Sequence, residues 1–203
     1  MKKAKSSNAK LLAEEFRRIK RKHRETILKR VAKSCVGSST LRVFKRSNRI
    51  KESLQNIDAD ELLKIRSDDK FEKWFENKLN KLTKAIPKTT SRDKKITDGA
   101  RKWGYGAKIL NLFLRDIVFH HRYFAEKDAN RIQYFLYVPL DKIVIGRLRK
   151  LGEPLSYKKI KRIKDINSRE KFYDVQNRLK QAADKVRVPR IWFDDNFADQ
   201  QQS

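Results

Sequence analysis

Apolar residues recur every three or four positions along most of this chain, which is the spacing of helices that bury one face. Near the N-terminus this spacing predicts an amphipathic helix over Ala9–Ala32, whose stripe includes His23 as a packed residue and ends on a buried Cys35. A second stripe contains Phe71, Trp74, Phe75, Leu79, Leu82 and Ile86. Ser67 can cap that helix and Pro87 ends it. The aromatic pair in this stripe could stack on bases, but its spacing favours core packing.

The same period continues through the remaining segments, and the sequence contains no repeats. The acidic residues within Asp58–Glu61 favour the start of a short helix, because the helix dipole stabilises acids at that end. Further helices are expected over 40–54, 94–103, 107–121, 141–152, 156–166 and 172–186. A polar connector is expected over Tyr123–Arg131, and Ile132–Val138 could form a strand or a buried loop. The pattern therefore predicts an all-α helical bundle, with residues 1–55 as a basic helical arm and residues 56–203 as the main helical domain.

Charge changes this picture more than any other property of the chain. The 203 residues carry a formal net charge of +27, and residues 1–50 hold 17 Lys or Arg against three Glu. Such an excess repels itself unless a polyanion offsets it, so nucleic acid is the expected partner. A ribosomal-type protein or a membrane-surface binder would share this composition, and a solvated charged face is the simplest alternative. Nucleic-acid contacts are expected at basic residues of the arm, namely Arg17, Arg18, Lys20, Arg21, Lys22, Arg42, Lys45 and Arg46.

Several classes of protein are disfavoured by what the sequence lacks. No apolar run approaches the roughly 18 residues of a transmembrane helix, and the basic start Met1–Ser6 has no apolar signal core. A single cysteine excludes an internal disulfide and a four-cysteine zinc or iron–sulfur site. We therefore expect a monomer without metal or cofactor, located in the cytoplasm and associated with the nucleoid.

Candidate chemistry is concentrated between Trp103 and Asp141. Two of the six glycines stand one residue apart in Gly104-Tyr105-Gly106, and Lys108 follows two residues after the second. A glycine turn before a helix would expose backbone amides that suit a phosphate and would place the lysine beside it. Asp141 follows Pro139-Leu140 and can cap the next helix. The adjacent His120 and His121 point apart on a helix and make a poor metal pair.

This arrangement resembles the helix-hairpin-helix DNA glycosylase superfamily over about residues 93–152. The family hairpin Gly-hydrophobic-Gly-any-Lys matches Gly104–Lys108, and its proline–apolar–aspartate motif matches Pro139–Asp141. Asp141 stands 33 residues after Lys108, which looks more like the archaeal 8-oxoguanine glycosylases than the common branches. The hairpin usually begins with proline, where this chain has Trp103. The resemblance implies a helix-hairpin-helix element, DNA contacts at Gly104, Tyr105 and Gly106, and catalysis by Lys108 and Asp141.

The implied chemistry is cleavage of an N-glycosidic bond in a flipped nucleotide. A carboxylate stabilises the oxocarbenium-like sugar, and a lysine with a depressed pKa can attack the sugar and form a Schiff base. The first expectation is therefore a DNA glycosylase, with or without AP-lyase activity, acting on double-stranded DNA that carries an oxidised purine or a virus-specific modified base. The latter substrate would make it an antiviral defence protein. The alternatives are a non-catalytic DNA- or RNA-binding module, in which Lys108 binds phosphate and Asp141 only caps its helix, and an RNA-associated basic protein.

Overall fold

The computed structural model describes residues 2–37, 43–44, 47–119, 123–150 and 160–194. These residues form helices joined by loops, with one isolated antiparallel bridge between Thr89 and Lys95, so the predicted all-α class is confirmed. The α-helices are α1 Lys2–Gly37, α2 Ser47–Gln55, α3 Asp68–Ala85, α4 Ala107–Phe119, α5 Glu126–Ile132, α6 Lys142–Lys150 and α7 Arg169–Lys185. Short 3-10 helices occupy Ala59–Lys64, Ile163–Asp165 and Arg190–Phe193, and a π-helical segment occupies Ala100–Gly106.

Helix α1 has two halves that differ in what they touch. Ile27, Val31 and Cys35 are buried in the core, as the stripe predicts. Every residue from Leu11 to His23 is exposed. The prediction that His23 is packed was therefore wrong, because the apolar stripe extends beyond the half of α1 that packs on the described core. Arg24 marks the boundary between the halves, because it donates to Asp60 at 2.6 Å and lies over the ring of Tyr123.

Helix α3 forms the centre of the core. Ser67 accepts a hydrogen bond from the Lys70 amide and caps the helix, as predicted, and the helix ends at Ala85, before Pro87. The rings of Phe71 and Phe75 are fully buried, which confirms core packing for the aromatic stripe. These rings join an aromatic cluster with Trp103, Tyr137, Phe172 and Tyr173. The Asp58 side chain caps the following 3-10 turn, in agreement with the predicted helix start there.

Two segments between α4 and α6 differ in structure: the first is a helix and the second is a loop. The predicted polar connector is wrong, because α5 forms there with acids in its first turn and Arg131 in its last. Arg131 donates to the carbonyl of Ile65 at 2.6 Å and, together with the buried Ile132, holds a mostly polar helix against the core. The segment that follows is a buried loop rather than a strand. The amide of Gln176 pairs with both backbone groups of Val138, at 3.0 and 2.9 Å, and satisfies them in place of a neighbouring strand.

The remaining predicted boundaries shift by a few residues. The second basic helix, predicted over 40–54, begins at Ser47, and residues 40–42 of the predicted span lie outside the described residues. Of the helix predicted over 156–166, residues 160–166 contain only the 3-10 turn Ile163–Asp165. Buried side chains of α1 and α2 belong to the same hydrophobic cluster as those of α3 to α7. The division at residue 55 stays a prediction. No described helix combines the length and apolar character needed to cross a membrane.

Candidate functional site

The glycine pair Gly104 and Gly106 does not form a turn. The chain is helical without a break from Asp98 to Phe119, and the pair lies in the π-helical segment that runs directly into α4. The amide of Ala107 donates to the carbonyls of Lys102 and Gly104, so this stretch of backbone bonds within the helix. Amides in a helix interior are occupied and cannot cradle a phosphate. The predicted turn was therefore wrong, and the helix-hairpin-helix element is not confirmed.

Gly104, like Gly99 at the start of the same helix, is needed instead for close packing against the segment before α7. A Cβ atom on Gly104 would lie 2.4 Å from the carbonyl oxygen of Ile163, and one on Gly99 would lie 1.9 Å from that of Asn167. Real Cβ atoms do not approach a backbone oxygen so closely, so only glycine fits. The absence of a side chain here serves contact between two parts of the same chain. Tyr105, between Gly104 and Gly106, is half-buried and packs edge-on against Phe44 with ring centres 5.2 Å apart.

Lys108 and Asp141 do converge, as the sequence motif predicted. The Nζ atom of Lys108 lies 3.7 Å from Oδ2 of Asp141, and their side chains are 9% and 31% exposed. The other carboxylate oxygen, Oδ1, accepts hydrogen bonds from the amides of Ile143 and Val144 at 2.8 and 2.9 Å. Asp141 therefore caps α6 with one oxygen and faces the lysine with the other. This cap confirms the predicted helix start, and it fixes the orientation of the carboxylate.

Burial lowers the pKa of Lys108, because the charged amine loses water in this position. Asp141 and Asp194 oppose that shift and Arg115 adds to it. Burial, rather than the positive end of a helix beginning after Gly106, is the main cause of this shift in pKa. Since the helix is continuous through that point, Lys108 lies in its interior rather than in its first turn. The result is still an amine with an increased neutral fraction next to an oriented carboxylate.

A buried polar network extends the site along α4, and sequence reasoning missed it. Arg115 donates to Asp116 Oδ1 at 2.7 and 2.8 Å and to Asp194 Oδ2 at 2.6 Å. The thiol of Cys35 contacts Asp116 at 3.7 Å, and burial together with this carboxylate raises the pKa of Cys35 well above its ordinary value. The available signal was the spacing i, i+3, i+7 of Lys108, Asn111 and Arg115, which places three polar side chains on one face of a largely apolar helix.

Asn111 is the unusual member of this face. Its side chain is 1% exposed, and neither its amide nitrogen nor its carbonyl oxygen has a hydrogen-bond partner within the described part of the chain. An unpaired buried amide costs about 1–3 kcal/mol of stability. It lies one helical turn beyond Lys108, on the same side of α4.

The predicted DNA-contacting residues of the arm divide into three groups. Arg17, Lys20, Arg21 and Lys22 are exposed on α1 and form no ion pair within the described ranges. Arg18 is exposed and pairs with Glu15 at 2.5 Å. Arg42, Lys45 and Arg46 lie outside the described residues, as do His120 and His121. Among the residues described, no group of three or more His, Cys, Asp or Glu side chains is placed to hold a metal ion.

Comparison of the chain with protein-family models gave no match, and comparisons with curated proteins and with solved structures gave none either.

Proposed function

We propose that this protein binds duplex DNA, with the exposed half of α1 contacting the phosphates. The observation that carries the proposal is the run Leu11–His23, in which every residue is exposed and five Lys or Arg stand against two Glu. Counterion release by such a segment drives association with a polyanion. This role brings with it the expectation of a cytoplasmic, nucleoid-associated protein.

The way α1 is held supports the same proposal. Its buried half is fixed by Ile27 and Val31, and the ion pair of Arg24 with Asp60 fixes the point where it leaves the core. Arg17 and Arg21 are one helical turn apart on the exposed half of the helix. A helix about 10–12 Å wide matches the major groove of B-DNA, which is about 12 Å wide. A firmly anchored helix with an exposed basic end is suited to that groove.

The test is the salt dependence of DNA binding by a triple variant, Arg17→Ala, Lys20→Ala and Arg21→Ala. Removing one cation that binds a phosphate should reduce the slope of log K against log salt concentration by about 0.9, so the slope should fall by about 3 in the triple variant. A matched variant removes three exposed lysines elsewhere, at Lys73, Lys127 and Lys185, and should keep the original slope. Equal slopes for both variants would exclude α1 as the binding surface. Tighter binding to duplex RNA than to duplex DNA in competition would exclude DNA as the preferred partner.

A second candidate function is base excision at Lys108 and Asp141, and the 3.7 Å approach of amine to carboxylate favours it. A neutral lysine amine can attack the sugar C1′ atom while the base leaves with the electron pair of the N-glycosidic bond and takes up a proton, and the carboxylate stabilises the cationic sugar. Cleavage of the C1′–O4′ bond, with the amine proton passing to O4′, then opens the sugar ring and gives the Schiff base. These are the two roles that the resemblance to helix-hairpin-helix glycosylases implies. The unconfirmed hairpin removes one part of that resemblance and leaves the pair itself.

Single-lesion duplexes and modified phage DNA provide the substrates for this second test. Asp141→Asn keeps a good helix cap, so DNA binding should persist while base release stops. Borohydride should trap a protein–DNA adduct that disappears in Lys108→Gln. Glu126→Gln, at an exposed acid on α5, is the matched control and should behave as the wild type. Base release by Asp141→Asn at the wild-type rate would reject the assignment, and DNA binding without any base release would leave the first proposal standing alone.

A further inference from the structure

A cavity of about 690 Å³ lies between three segments that are distant in sequence. Its walls come from the turn over 90–97, from the π-helical segment at Tyr105, and from residues 162–171 before and in α7. This volume falls in the range of about 300–1,000 Å³ that holds small molecules and cofactors. The cavity is separate from both Lys108 and the exposed half of α1, neither of which contributes to its lining.

The charge around the cavity is strongly one-sided. Five of its lining residues are cations, and only one is an acid. The cations are Lys94, Lys95, Arg162, Lys164 and Lys171. The carboxylate of the acid, Asp165, already has partners within the protein. Its Oδ2 atom accepts hydrogen bonds from the backbone amides of Lys161 and Arg162 at 3.0 and 3.1 Å. A cavity with such a lining concentrates anions.

Most of these cations are not neutralised by the protein. Lys94, Lys95 and Lys164 pair with no carboxylate within the part of the chain that the structure describes. The amine of Lys171 is held by the side chain of Asn167 at 2.9 Å, which is a neutral partner. Arg162 has its Nε atom 3.6 Å from Asp165 and remains largely exposed. At least three positive charges are therefore available to a bound anion.

The N-termini of two helices add to the positive electrostatic potential of the cavity. The helix that begins at Asp98 is preceded by Thr97, whose hydroxyl oxygen accepts a hydrogen bond from the Ala100 amide at 3.3 Å. Helix α7 begins after Ser168, which accepts from the Lys171 amide. Thr97 and Lys171 both line the cavity, so the positive ends of two helices lie beside it. Their dipoles reinforce the attraction that the five cations create.

Tyr105 gives the cavity an aromatic wall. Its ring is held edge-on by Phe44, and burial raises the pKa of its phenol, so the group stays neutral. Base-aromatic contacts of this kind contribute to binding of single-stranded nucleotides and do not depend on the identity of the base. Cations that surround an aromatic side chain in a cavity of this size suit a ligand with both a phosphate and a flat ring.

We propose that this cavity binds a nucleotide, with its phosphate among Lys94, Lys164 and the neighbouring cations and its base against Tyr105. The ligand can be a free mononucleotide or the end of a single strand, since both present the same chemistry. The site does not depend on α1. It would give the protein a second contact for nucleotides besides a duplex-binding helix.

The experiment is isothermal titration calorimetry of the full-length protein with inorganic phosphate, with dAMP, and with a short 5′-phosphorylated single strand. The double variant Lys94→Gln and Lys164→Gln removes two cations that form no ion pair in the described structure, and it should weaken dAMP binding by about tenfold or more. Lys73→Gln with Lys127→Gln is the control of equal charge and should bind dAMP as the wild type does. Tyr105→Leu should reduce dAMP affinity to that of phosphate while leaving phosphate binding unchanged.

The outcomes separate this proposal from the DNA-binding proposal. The α1 variant Arg17→Ala, Lys20→Ala and Arg21→Ala should retain full affinity for dAMP. Tighter binding of the single strand than of dAMP, abolished in the Lys94 and Lys164 variant, identifies a strand end as the ligand, and equal binding identifies the free nucleotide. No heat from dAMP or from the strand, or equal affinity in the cavity variant and the wild type, would overturn the proposal. Equal affinity for phosphate and dAMP in the wild type would also overturn it.

Discussion

Replacing Gly104 with alanine separates the packing role of this glycine from a phosphate-binding role. The new Cβ atom would lie 2.4 Å from the carbonyl oxygen of Ile163 and 3.2 Å from that of Ile166. Ordinary contacts begin near 3.4 Å, so the first approach is about 1 Å too close. Both opposing atoms belong to backbone, which cannot rotate away as a side chain end could. The segment over 163–166 must therefore move away from the π-helical segment.

The magnitude follows from two opposing terms. Inserting a methyl group into a packed region costs about 1–3 kcal/mol, and the backbone contact puts this case at the upper end. Alanine also gains about 1 kcal/mol over glycine inside a helix. We expect a net loss of about 2 kcal/mol in the free energy of unfolding. For a protein of this size, that corresponds to a fall of about 4–8 °C in Tm.

Gly146→Ala is the matched control, because this glycine lies inside α6 and a Cβ atom there meets nothing within 4 Å. Only the helix gain remains at this position, so Tm should rise by about 2–4 °C. Calorimetry and urea titration measure both variants, and the salt dependence of DNA binding is recorded alongside. If Gly104→Ala is as stable as the wild type and binds DNA more weakly, the packing argument is refuted and the amide has a direct role in phosphate binding.

Three further substitutions or treatments test other parts of the structure. Asn111→Leu replaces an unpaired buried amide with an apolar group of similar volume, and the free energy of unfolding should rise by about 1 kcal/mol in urea titrations; a decrease would mean that the amide has a partner. Burial lowers the pKa of Lys108 in the folded protein. Between that lowered pKa and the unfolded value of about 10.4, the folded protein binds fewer protons than the unfolded chain. The free energy of unfolding should therefore rise with pH across this window. Lys108→Met should remove that rise in titrations at several pH values, and an unchanged slope would contradict the lowered pKa. Cys35 is buried and burial raises its thiol pKa, so a thiol reagent should react with it only in denaturant; fast reaction with the native protein would count against this packing.

The sequence predicts the helices and their caps because those signals are local. Ser67 and Asp141 each bond to amides two or three residues away, so their roles can be deduced without any knowledge of the fold. The convergence of Lys108 with Asp141 was accessible only through a family motif, since 33 residues separate them. That convergence holds although the turn that suggested it does not form.

The features that the sequence does not reveal depend on distant partners. Gly104 is required by the backbone of Ile163, which lies 59 positions later in the chain. The residues next to Gly104 in sequence therefore fit a glycine turn as well as they fit a packed helix. His23 continues an apolar stripe, but only the fold determines where α1 leaves the core. The same applies to Asp194, whose ion pair with Arg115 joins the end of the described chain to α4.

The π-helical segment Ala100–Gly106 sets the angular phase between the two ends of one continuous helix. A helix with hydrogen bonds from residue i to i+5 turns through a smaller angle per residue than an α-helix. Side chains before and after the segment therefore point in relative directions that a regular helix would not give. Trp103 thereby packs on Phe172, while Lys108, five positions later, faces Asp141. Inserting a single residue between the segment and Lys108 would rotate everything downstream by about 100° relative to Trp103, which is the rotation per residue of an α-helix. Such an insertion should therefore separate the aromatic core from the amine–carboxylate pair, even where every side chain is kept.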